Sequence, residues 1–243
     1  MTGHETVDWT VAQPPGLTAG AKGLRERKKA LMRQRLSDTA TAMFLARGFD
    51  AVRVTEIAAA CEVSEKTVFN YFPTKESLVL DRWDSTAQAL RAGVADPGVH
   101  PLDAVRRILA DELGALTSWL DAQEDTAAAI ASVQRFGELV TTTSALRAYH
   151  NDTMNELVKM VSGLLADRAG LAADDPEPQI AATALVGLWG VHLTALKKYL
   201  DSARTPAALY KAVTADVEAA ARLILTGLNG LAWTPAAAAT TLP

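Results

Sequence analysis

Apolar residues return every three or four positions along almost the whole chain, and nowhere do they alternate strictly with polar ones. That pattern predicts helices and no strands. The first helix is expected over 24–46, where Leu36, Ala40, Met43 and Phe44 fall at i, i+4, i+7 and i+8 and form one buried stripe before Gly48 stops it. Two short elements follow. Val54, Ile57, Ala58 and Cys61 make one apolar face; Ser64 then offers a side-chain oxygen to the first turn of a second helix over about 65–72. In it Val68 and Phe72 turn inward, Glu65, Lys66, Thr67, Asn70 and Tyr71 turn outward, and Pro73 ends the run. A helix so short holds its shape only against a partner, which leaves its outer face on display. A helix-turn-helix that reads DNA is one explanation, and an ordinary helical hairpin with a solvated face is the other.

The rest of the chain continues in helices. A fourth is expected over 75–95, with Leu78, Trp83, Ala87 and Leu90 facing inward; the segment 96–101, with two prolines and a glycine, breaks it. Further helices are expected over 101–120, 125–140, 144–168 (closed by Gly170), 176–200 and from Thr205-Pro206 to Gly227. The segment 176–200 is apolar on nearly every side: Leu185, Trp189, His192, Leu196 and Tyr199 form one row, and Ala184, Leu188, Val191 and Ala195 another. Such a helix needs cover on both sides, and a second copy of the chain supplies it as readily as a large monomeric core.

Charge is distributed unevenly. The chain of 243 residues has a net charge of −4, yet 22–35 alone carries seven basic residues and one acidic one. A segment of +6 therefore sits on a body of −10. This suits a small surface made for polyanions, immediately before the candidate recognition unit. The 49% hydrophobic content is that of a folded protein. Cys61, the single cysteine, reads as a small buried side chain. The N-terminal residues lack the pattern of a signal peptide, and the uncharged stretch 180–196 falls short of a membrane span, so a cytoplasmic protein without membrane contact is expected.

The stretch FLARGFDAVRVTEIAAACEVSEKTVFNYFPTKESLVL resembles the N-terminal domain of the tetracycline-repressor (TetR) family of bacterial regulators. The matching features are Phe44 with the 46–49 turn, Val54-x-x-Ile57-Ala58, Val63-Ser64, Phe69-x-Tyr71-Phe72 and Lys75-Glu76, covering about 25–80. The resemblance implies an all-α fold with a helix-turn-helix three-helix domain over 22–80; the stretch before it, 1–21, is rich in Gly, Pro and Thr without periodicity and is expected to be a disordered arm. A helical ligand-binding and dimerisation domain over 81–231 and a disordered tail over 232–243 would follow. It implies that Glu65, Lys66, Thr67 and Asn70 lie nearest base edges, chemistry those side chains can supply. Lys28, Arg53, Tyr71 and Lys75 would meet phosphates, Lys75 at the start of the fourth helix. Phe69 stands where many members carry tyrosine and so lacks a hydroxyl for phosphate. Arg53 stands where a capping threonine is common, so that cap is lost. In the family the last two helices pair with their copies in a four-helix bundle, for which Leu209, Val213, Val217, Ala220 and Ile224 would line the last helix.

Trp119, Phe136, Tyr149, Trp189 and His192 are the candidates for an effector pocket, His192 as its polar anchor. The Phe-Asn-Tyr-Phe-Pro-x-Lys-Glu run resembles members with an acyl-CoA-like ligand domain, so an acyl-CoA-like or polyketide-like effector is expected. No cofactor, no metal site and no catalytic constellation is read: the glycine-rich phosphate loops, Gly-x-Ser-x-Gly and His-x-x-x-His are all missing, and the four histidines are scattered. The expectation is a dimeric, ligand-responsive repressor of a palindromic operator; the alternative is a helical ligand-sequestering or interaction protein without specific DNA binding.

Overall fold

The computed structural model describes residues 23–227 except 82, 173 and 204. The expected arm over 1–21 and tail over 232–243 lie outside the described residues. Within them the chain forms nine α-helices and no strand: α1 (Leu24–Arg47), α2 (Val54–Ala60), α3 (Glu65–Tyr71), α4 (Trp83–Ala95), α5 (Pro101–Asp121), α6 (Thr126–Thr142), α7 (Ser144–Ala169), α8 (Pro176–Leu200) and α9 (Pro206–Thr226).

Local chemistry sets most of the boundaries. Asp125 accepts the Ala128 N–H at the start of α6, Thr205 accepts that of Ala208 at the start of α9, and His100 Nδ1 accepts that of Leu102 at the start of α5. Proline opens α5, α8 and α9, where its missing N–H costs nothing. Gly170, left-handed at φ 66°, closes α7 by giving its N–H to Ala166.

The fourth helix does not begin at Lys75. Residues 76–78 form a single 3₁₀ turn, and α4 starts only at Trp83. Thr74 and Ser77 exchange hydrogen bonds between side chain and backbone, which fixes a tight turn, and the Leu78 carbonyl accepts the Ser37 hydroxyl at 2.9 Å. That bond ties the turn to α1, and Leu78 and Val79, adjacent in sequence, are both buried.

Three apolar clusters hold the chain together. The first joins α1, α2, α3 and the 3₁₀ turn around Phe44, Ile57, Val68 and Phe72, each 0% exposed; it also takes in Leu146 from α7, with Phe136, Leu139 and Val140 of α6 against it. The second packs α4, α5, α7, α8 and α9 around Trp189. The third joins α5, α6, α8 and α9 around Trp119 and Leu120.

The residues expected to line α9 for a partner are placed otherwise. Leu209, Val213 and Val217 are buried in the subunit's own core, with Ala220 and Ile224 packed at its edge, because α8 and α5 lie along that face. The open apolar surface is on α8. Ile180, Thr183, Gly187, Gly190 and Thr194 fall in one exposed stripe, with Leu193 beside it. By length and composition α8 is long and apolar enough to cross a membrane, and 39% of its apolar window is buried inside this fold.

Candidate nucleic-acid interface

α2 and α3 are joined by a turn in which Glu62 takes a left-handed φ of 56°, and the Val63 N–H reaches back to the Ala58 carbonyl at 3.0 Å. Ser64 caps α3: its Oγ accepts the Thr67 N–H at 3.1 Å and shares a hydrogen bond with the Thr67 hydroxyl at 2.8 Å. Val68 and Phe72 anchor the inner side. Glu65, Lys66 and Asn70 are exposed, and their side chains make no hydrogen bond or ion pair with any described residue. Thr67 is half-buried, its hydroxyl engaged with the cap. Tyr71 is half-buried against the three-helix core.

Three charged side chains that sequence reasoning did not single out fix the geometry of this unit. The Arg33 guanidinium donates to the Tyr71 carbonyl at 2.8 Å, lies 4.4 Å from the Phe72 ring centre and pairs with Asp84 at 3.2 Å. It ties α1 to the end of α3 and to the start of α4, so this member of the basic segment is occupied inside the protein. Glu56, at the third position of α2, supplies the reciprocal half of a capping box. Its carboxylate accepts the Arg53 N–H at 2.8 Å and an Arg47 N–H at 2.7 Å, and these two donors hold its pKa below the usual carboxylate range. The Arg53 side chain has no acceptor with which to cap, and it projects into solvent.

Of the residues expected at phosphates, Lys28 on α1 and Arg53 at the head of α2 are exposed. Lys75 is placed differently. Its ammonium donates to the Phe49 carbonyl at 2.6 Å and sits 4.3 Å from the Phe49 ring centre and 5.4 Å from that of Phe44. It clamps the turn after α1, where Gly48 adopts a φ of 85°. Only a single 3₁₀ turn follows Lys75, where the start of the fourth α-helix was expected.

The five residues expected around a pocket do not gather. Trp119 is buried in the α5–α6–α8–α9 cluster, and Phe136 packs against the three-helix core. Tyr149 lies half-buried on α7, its pKa raised by burial and by Asp84 and Glu76. Trp189 donates its ring N–H to Glu112 at 3.1 Å. His192, one turn on, is 6% exposed; its Nδ1 has no partner among the described residues, and burial pushes its pKa down to about 4. A hollow of about 30 Å³ lies between α5, α6, the end of α8 and the start of α9, lined by Leu120, Ile130, Leu200 and Leu209, and none of the five lines it.

Comparison with known proteins follows this division of the chain. Residues 36–81 match the family model of bacterial regulatory proteins of the tetR family, and residues 100–229 match that of the MftR C-terminal domain. The HTH-type transcriptional regulator TcmR of Streptomyces glaucescens is 30% identical over 160 residues, which is 65% of this chain and 69% of TcmR. Among solved structures, Thermus thermophilus FadR, a TetR-family repressor crystallised with lauroyl-CoA, is 23% identical with a TM-score of 0.46, over 84% of this chain and 98% of FadR. NalD of Pseudomonas aeruginosa, a secondary repressor of the MexAB-OprM multidrug efflux pump, is 20% identical with a TM-score of 0.46, over 82% of this chain and 97% of NalD. With the second model alone spanning more than half of its length, the chain belongs to the TetR family of helix-turn-helix, DNA-binding transcriptional regulators, a family of regulators and not of enzymes.

Proposed function

We propose that this cytoplasmic regulator binds a palindromic operator as a homodimer and represses until a small apolar effector releases it. The observation that carries the DNA reading is the outer face of α3. Glu65, Lys66 and Asn70 stand exposed with every donor and acceptor uncommitted, on a helix rigidly held by Ser64, Val68, Phe72 and Arg33. In the major groove such groups can accept from cytosine, donate to guanine and pair with adenine respectively. Thr67 lies beside them with its hydroxyl shared with Ser64. Lys28, Arg53 and Tyr71 are the proposed phosphate contacts; Lys75 acts through the fold that presents them.

Residues 22–80 would form the DNA-binding unit and 81–231 the unit for effector binding and dimerisation, the two sharing a core at the corner of α6 and α7. The exposed stripe of α8 supports pairing with a second copy, since in a single chain it leaves Ile180 71% and Leu193 44% exposed. For the effector, an acyl-CoA-like or polyketide-like molecule, the support is the buried Nδ1 of His192 with no partner, on an otherwise apolar helix. Trp119, Phe136, Tyr149 and Trp189 are the apolar surface it would part. The 30 Å³ hollow is far below the roughly 300–1,000 Å³ of a ligand site, so an effector entering there would require the helices to part. A ligand that prefers the opened state lowers DNA affinity by that preference.

The test is selection of duplexes from a random-sequence library by the full-length protein. Enrichment of one inverted repeat, abolished by the paired substitution Lys66→Ala/Asn70→Ala with the melting temperature unchanged, is the expected result. Failure to enrich any sequence would favour a protein that sequesters ligand without reading DNA.

A further inference from the structure

Phe69 is the one aromatic among the large apolar side chains left exposed in the described residues, at 43%. It lies on α3, three residues after Lys66 and four after Glu65, so one helical face carries all three. The core does not need it: Val68 and Phe72 already fill the inner side at 0% exposure. A phenyl ring neither donates nor accepts a hydrogen bond, so it serves no phosphate and no polar base edge. The major groove offers one apolar feature, the C5-methyl group of thymine.

We propose that Phe69 is a specificity-determining residue that reads the 5-methyl group of a thymine in each half-site of the operator. The inference rests on the reading of α3 as a DNA-reading helix. In the free protein the ring is held toward solvent on a rigid helix, so its burial against a methyl group removes apolar surface from water with little further ordering. Lys66 and Asn70 fix the register of the helix by hydrogen bonds; Phe69 then accepts thymine and rejects cytosine, whose C5 carries hydrogen only.

The probe is the inverted-repeat duplex recovered by the selection above, with each thymine replaced in turn by deoxyuridine. This removes the methyl group and keeps every hydrogen-bonding atom. The wild-type protein should lose about three- to fivefold in affinity at one thymine per half-site, the worth of one buried methyl group. Phe69→Ala, whose melting temperature should be unchanged, should bind the unmodified duplex more weakly and lose no further affinity on the deoxyuridine duplex. Tight, sequence-specific binding by the wild type with no deoxyuridine effect overturns the Phe69 assignment and leaves the regulator intact. So does a Phe69→Ala variant that keeps the wild-type sensitivity, or one that binds weakly while the wild type ignores the methyl group, as a contact to sugar would produce. If no sequence is enriched at all, both readings fail together.

Discussion

The Trp189 indole N–H donates to one carboxylate oxygen of Glu112 at 3.1 Å, while the other oxygen accepts the Thr86 hydroxyl at 2.7 Å. One acidic side chain on α5 therefore joins α4, the helix that follows the DNA-binding unit, to α8, the helix with the exposed apolar stripe. Glu112→Leu should destabilise the fold by about 1–3 kcal/mol in urea unfolding, because it leaves a buried indole N–H and a hydroxyl without partners. Glu112→Leu combined with Trp189→Phe should recover part of that loss. Strictly additive effects would mean the pair is not coupled.

His192 gives the fold an acid-sensitive element. Its folded pKa of about 4 lies below the ordinary histidine value of 6.5, so between these values the unfolded chain binds more protons than the folded one. Stability from this group is complete above pH 6.5 and is lost as pH falls toward 4, by about 3 kcal/mol in all. Burial lowers the pKa of His150 as well, in the same sense. His192→Leu should flatten the difference in urea midpoint between pH 7 and pH 4.5; an unchanged difference would remove His192 from the account.

Lys75 separates a role in folding from a role in binding. Lys75→Met keeps the aliphatic stem but loses the charged hydrogen bond to Phe49, and should cost about 1.5–3 kcal/mol of stability. Its salt dependence of DNA binding should match that of the wild type. A stable variant whose salt slope falls by about one would return Lys75 to the phosphates.

Gly190 marks the proposed subunit contact. A Cβ at this exposed position meets nothing within 4 Å in its own chain, so Gly190→Arg should fold as a monomer with full helical content, aided by about 1 kcal/mol of helix propensity. Sedimentation equilibrium should find a dimer for the wild type and a monomer for the variant. Two dimers, or two monomers, would move the interface elsewhere.

Much of the architecture could be read directly from the chain because it rests on local chemistry. Ser64, Asp125 and Thr205 with Pro206 each announce a helix start by accepting a nearby N–H, and the stripe of Leu36, Ala40 and Phe44 is buried as its spacing implies. What escaped depends on partners far along the sequence. The turn before α4 is tied down by the Ser37 hydroxyl, which donates to the Leu78 carbonyl 41 residues away, and Lys75 turns inward because Phe49 offers a carbonyl at 26 residues' distance. Loss of the Arg53 cap was legible, but the hold of Glu56 on the Arg53 N–H, with Arg47 behind it, was not. On α9 the periodicity marked Leu209, Val213 and Val217 as one apolar face, yet spacing alone does not say whether a subunit's own α8 or a partner covers it. The same limit explains the scattered pocket: aromatic residues on five helix positions served two or more cores.

The central claim is that α3 reads DNA with Glu65, Lys66 and Asn70 while basic side chains hold the phosphates. Its most direct test is fluorescence anisotropy of the purified protein with the selected inverted repeat and with a scrambled duplex of equal composition, over a series of salt concentrations. Two protomers per duplex, affinity for the repeat at least 10³-fold greater, and a steep fall with salt are predicted. Equal and weak binding to both duplexes at every salt concentration would contradict it.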